Sequence, residues 1–192
     1  MKEYRICTIQ DKAGLDALPV AKIVDYPMEE RDYRPFAQNI LCREQGDGKF
    51  SLSGYRLRMW AFEVSPPEDS ELRAVLGFFT GGAVLEARIW INDEICHEVT
   101  LYSNGKEETV RGYEFRNYSG EDLQGVYWGG EFFFADEVLK ELAGPVLAKP
   151  GQEFAGNFYK ICPDRHYGSF SAVDWDDPYS MVNMGRFAVV GY

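Results

Sequence analysis

The chain has 192 residues, of which 45% are hydrophobic, 15% aromatic and 27% charged, and its formal net charge is −11. At this length one domain over residues 1–192 buries roughly 70% of its unfolded surface, so disulfide staples are not required for folding. So negative a charge, with Lys and Arg thinly spread, excludes duplex nucleic acid and anionic membrane surfaces as partners, and neutral ligands stay open.

No window approaches the roughly 20 apolar residues that span a bilayer. The opening MKEYRICTIQDKAG lacks the apolar core of a signal peptide. Cys7, Cys42, Cys96 and Cys162 stand apart with no C-x-x-C pair, which favours free thiols and a cytoplasmic setting.

In chain order, residues 4–9 alternate and predict a short edge strand. Residues 20–24 predict another, followed by a solvated loop, because Pro27 and Pro35 cannot donate to a central ladder. Strand character resumes over 36–43 and stops at the turn Gln45-Gly46-Asp47-Gly48. Residues 50–64 divide at Gly54, and in the longer piece Leu57, Met59 and Ala61 alternate with Arg58, Trp60 and Phe62. A period of two puts Arg58 and Trp60 on one face. Residues 72–80 predict an apolar strand, and 84–92 repeat the earlier pattern, with Arg88, Trp90 and Asn92 opposite Leu85, Ala87 and Ile89.

Residues 94–102 return as a hairpin partner, and Asn104-Gly105 marks the next turn. Further strands are predicted over 109–117 and 125–134. ADEVLKELA at 135–143 predicts one short helix, with acidic residues in its first turn and Gly144 as its stop. A strand over 153–161 leads into a loop dense in His, Asp, Tyr and Trp, and a strand over 186–190 follows. Some ten short strands and one helix imply an all-β fold, a β-sandwich or jelly-roll-like barrel.

The segment GNFYKICPDRHYGSFSAVDW, with GRFAVV after a spacer, resembles the C-terminal signature of family 9 carbohydrate-binding modules. Looser fits lie upstream: LPVAKIVDYPM with Tyr33-Arg34-Pro35, a strand ending AFE, and WGGEFFFADEVLKEL as strand and helix. The likeness covers most of the chain, and its specific motifs occupy the last fifth. It implies a sandwich that binds a mono- or oligosaccharide without catalysis, with Trp175 at the position of the family's terminal Trp. Where such modules read W-N-P, this chain has Trp175-Asp176-Asp177-Pro178.

Sugar recognition uses a flat aromatic ring against the apolar side of the pyranose and polar groups around its edge. Trp175 beside Asp174, with His166 and Tyr167 in the same loop, has that composition. Arg58 with Trp60, and Arg88 with Trp90 and Asn92, form two further candidate sets; the competing reading makes them packing layers in which Arg stems cover Trp rings. Asp174, Asp176 and Asp177, with backbone carbonyls, admit a calcium ion. Cys162-x-x-x-His166 lacks the second pair that a structural zinc needs. A haem-binding cytochrome-like domain of the same superfamily is the alternative, with axial ligands drawn from Met59, Met181, Met184, His97 and His166. A glycan-processing enzyme comes third: no nucleophile elbow, zincin or phosphate-loop motif is present, and spacing selects no carboxylate pair.

Overall fold

The computed structural model describes residues 3–7, 21–22, 33–40, 43–44, 50–51, 54–63, 66, 68–77, 82–123, 125–135, 137–138, 151, 153–162, 165–171, 174, 176–180, 182 and 184–190. Within these, the side chains of 5–7, 21–22, 33–40, 43–44, 50–51, 54–55, 165–167 and 189–190 fall outside the description.

The strands in order are β1 (Glu3–Cys7), β2 (Ala21–Lys22), β3 (Tyr33–Ile40), β4 (Arg43–Glu44), β5 (Phe50–Ser51), β6 (Gly54–Glu63), β7 (Glu71–Gly77) and β8 (Val84–Asn92). There follow β9 (Glu94–Ser103), β10 (Lys106–Thr109), β11 (Glu114–Asp122), β12 (Gly125–Ala135), β13 (Glu153–Cys162), β14 (Arg165–Ser169) and β15 (Gly185–Val190). The fold is all-β, with sheets packed as a sandwich. Glu137 and Val138 are helical, inside the expected 135–143 span, and 139–143 lie outside the described residues.

One ladder runs β10-β9-β8-β7-β13-β15-β1-β3-β6-β12-β11. Strand alternation explains how it closes on itself. Leu72, Ala74 and Leu76 of β7 and Leu85, Ala87 and Ile89 of β8 join one buried cluster with Leu57, Met59 and Ala61 of β6 and Trp128, Phe132 and Phe134 of β12. Those strands stand at opposite ends of the ladder, so the sheet folds over between them and its two arms face each other. Each large apolar side chain so buried contributes about 1.5–3 kcal/mol. At the rim, His97 of β9 stacks on Phe115 of β11 with centroids 3.8 Å apart and donates to or accepts from the Tyr113 hydroxyl at 3.0 Å.

The core also holds a charge. Lys160, fully buried on β13, binds Glu63 Oε1 of β6 and Ser70 Oγ, while Glu63 Oε2 accepts the Trp128 indole N–H at 2.7 Å. An ion pair thus crosses from one arm to the other.

Several expectations change. Residues 4–9 were expected at a sheet edge, but β1 lies inside the ladder, parallel to both β15 and β3. Pro35 stands within β3 opposite Ala61 rather than in a loop. The expected strand over 109–117 is split, as β10 ends at Thr109 and β11 begins at Glu114. The Gly54 division and the Asn104-Gly105 turn, both residues at positive φ (52° and 73°), are as expected.

Candidate ligand-binding face

Residues pointing inward from β7, β8, β9 and β13 leave their neighbours on the outer face, and register lines these up across four strands. One row reads Tyr159, Arg73, Arg88, Glu98; the next reads Ile161, Glu71, Trp90, Cys96; a third reads Asn157, Val75, Glu86, Thr100. Opposite charges then meet, within β7 and across to β8 and β9. Arg73 Nε donates to Glu71 Oε1 at 2.5 Å and its Nη1 to Glu86 Oε2 at 3.5 Å. Arg88 Nη2 donates to Glu71 Oε2 at 2.8 Å, and Nη1 stands 3.7 Å from Glu98. The Arg88 guanidinium also covers the Trp90 ring, 5.2 Å from its centroid.

Burial tends to raise the Glu71 carboxyl, but hydrogen bonds from Arg88 and Arg73 outweigh it and hold the group below its ordinary value. Glu86, with only the longer Arg73 contact, is left raised by burial. Both arginines are held above their ordinary value; for Arg73 burial opposes this and the Glu71 hydrogen bond prevails, and for Arg88 the Glu71 hydrogen bond leads. The shifts favour the charged forms of Glu71, Arg73 and Arg88, and burial opposes charge on Glu86.

The terminal loop settles on this same face. Asp176 N–H donates to Asp174 Oδ1 at 3.0 Å, Asp177 N–H to Asp174 O at 3.0 Å, and Ser180 N–H to Asp177 O at 3.3 Å, forming two consecutive turns. Tyr179 then packs edge-on against Tyr159 (5.1 Å, 77°) beneath the Arg73 guanidinium, 4.6 Å from its ring. The Tyr159 hydroxyl donates to Pro178 O at 2.8 Å. Upstream, Asn157 brackets the chain: its Oδ1 accepts the Ser171 N–H at 2.8 Å and its Nδ2 donates to Ser171 O at 3.1 Å. This accounts for the Asn of the NFYK segment, which anchors the loop rather than touching solvent.

Of the residues singled out from sequence, Arg88 and Trp90 lie in the lattice, Asn92 is exposed at the end of the same strand, and Asp174 is exposed in the adjoining turn. Trp175 lies outside the described residues, between Asp174 and Asp176. His166 and Tyr167 belong to β14, a strand within what was expected to be loop, and their side chains are not described. Arg58 and Trp60 are not on this face. They project outward from the other arm, where Arg58 donates to Glu131 through Nε at 3.1 Å and Nη2 at 3.0 Å.

Sequence reasoning did not select Glu71, Arg73, Glu86 or Tyr179. The available signal was Glu71-x-Arg73 and Glu86-x-Arg88, the same charged step repeated on two neighbouring apolar strands.

Met59 is in the core, Met184 faces Tyr159 on the outer side, and His97 sits at the rim against Phe115 and Tyr113; Met181 and the His166 side chain are outside the described residues. The described candidates for a haem axial pair thus occupy separate places. Among the described residues no group of three His, Cys, Asp or Glu is placed to hold a metal ion. None of their helices is long and apolar enough to cross a membrane.

No family model matches the chain, and no curated protein does. Among solved structures, a candidate carbohydrate-binding protein of Bacteroides uniformis matches with a TM-score of 0.68 at 10% identity, over 98% of this chain and 99% of that one. The two share a fold.

Proposed function

We propose that the protein binds a neutral mono- or oligosaccharide, without covalent chemistry, on the outer face of β13, β7, β8 and β9 beside the terminal loop. The observation that carries this reading is the Glu71–Arg73–Glu86–Arg88 lattice with Trp90 and Tyr179 set in it. Fixed donors and acceptors next to aromatic rings are what a hydroxyl-rich ring of one apolar side requires. Each arginine is already engaged by carboxylates, so an anionic sugar would have to displace Glu71 or Glu86. Trp175, next in sequence to Asp174, supplies the second ring in this reading, with polar help from His166 and Tyr167 upstream. The end-to-end likeness to a candidate carbohydrate-binding protein supports the same reading.

Calorimetric titration with a panel of neutral sugars tests it. Wild type is expected to give heat with at least one, and Trp90→Ala or Trp175→Ala to weaken binding about tenfold or more, ~1.4 kcal/mol. A chain that melts normally and gives no heat with any sugar would refute the proposal.

A further inference from the structure

The other arm has an outer face of its own, formed by β6, β12 and β11. Its rows, from the β11–β12 turn inward, are Phe62, Tyr127, Gly120; then Trp60, Gly129, Tyr118; then Arg58, Glu131, Arg116. Tyr127 is 44% exposed although it lies within the sheet surface. Glycine weakens a strand and is usually found there because something approaches closely. At Gly120 the close neighbour is the Tyr127 ring: a Cβ on that residue would occupy the space of the ring carbons and hydroxyl. The ring therefore rests on the sheet over Gly120 and turns its other side to solvent.

At the far end, Glu131 is taken up by Arg56 Nε at 3.3 Å and by Arg58 at 3.0 Å. That leaves Arg116, exposed and with no ion pair or hydrogen bond among the described residues. The Tyr127 hydroxyl likewise has no hydrogen-bond partner among them. Rows two residues apart are separated by about 7 Å, so the Arg row lies about 14 Å from Tyr127 along β12, with Trp60 between. A flat ring on β12, a second aromatic on β6 and a free guanidinium on β11, spread over three adjacent strands and about 14 Å along them, match a short oligosaccharide better than a single sugar.

We propose that Tyr127, Trp60 and Arg116 form a second, separate oligosaccharide platform on the face opposite the lattice. This rests on the sugar-binding reading above. The protein then presents two saccharide faces back to back and can hold two glycan strands at once.

The test is protein NMR with cellotetraose, xylotetraose and mannotetraose, following the Tyr127 ring and the Trp90 indole. A tetrasaccharide that shifts the indole is expected to shift the Tyr127 ring as well. Tyr127→Ala is expected to abolish only the shifts around β11 and β12, Trp90→Ala only those around β7 and β8, and Tyr127→Phe to retain both. If the Tyr127 ring stays unmoved while Trp90 responds, the second platform is refuted and the first stands. If Tyr127→Ala removes the Trp90 response too, with normal melting, the sites are not separate and the inference falls. If neither ring responds to any of the three, the second platform is refuted, and the calorimetric panel alone decides the first reading.

Discussion

Lys160 reaches the centre of an apolar core, and only its partners make that tolerable. Its ammonium meets Glu63 and Ser70, and Glu63 is itself held by the Trp128 indole. Removing one member of a buried pair leaves an uncompensated charge, which costs about 3–5 kcal/mol, whereas replacing both with apolar groups is often near neutral. Glu63→Leu is therefore expected to destabilise by about 3–5 kcal/mol in urea denaturation, and Glu63→Leu with Lys160→Met to recover most of that. A double variant as unstable as the single would show that the pair is not the reason. This cluster was not legible in the sequence. A lysine in a strand reads as solvated, because lysines are almost never fully buried, and nothing local to NFYK reveals a carboxylate 97 residues away.

Among elements, those with strong alternation were legible and those defined by distant partners were not. β8 came out with its observed bounds because Leu85, Ala87 and Ile89 step regularly against Arg88 and Trp90. β1 was placed at an edge, since five residues carry no signal of the parallel neighbours on both sides. The same limit applied to the site: alternation put Arg58 and Trp60, and Arg88 and Trp90, on outward faces, but not on the two opposite outsides of a folded sheet. The rim contact between β9 and β11 carries a pH dependence. Burial lowers the His97 pKa below 6.5, so the folded form favours neutral imidazole. As pH falls through 6.5 the unfolded chain takes up a proton before the folded one, and stability declines until the folded value is passed. Wild type is expected to lose stability from neutral pH toward pH 5 more steeply than His97→Gln, as followed by urea midpoints. Parallel slopes would exclude His97 as the source.

For the whole molecule, the terminal loop joins the core to the outer face of β13, β7, β8 and β9. Tyr159 reaches outward from β13 to hold Pro178 and Tyr179, and so keeps the 174–180 turns against the lattice. Tyr159→Phe keeps the ring and removes the donor, an expected loss of about 0.5–1.5 kcal/mol. If the loop contributes to the site, the same variant weakens sugar binding as well. Unchanged affinity with lowered stability would restrict the loop to a structural role.

β15 fills the gap between β13 and β1, pairing with both. Without residues 185–190, the edges of β13 and β1 that β15 pairs would be bare, and the arms would be joined by the shared core and the Lys160–Glu63 pair. Such edges invite pairing with other chains. Assembly therefore waits on one short strand, and pairings so distant in sequence fold on the slow side, in milliseconds to seconds. A chain truncated before Gly185 would keep those two edges unpaired and exposed to pairing with other chains.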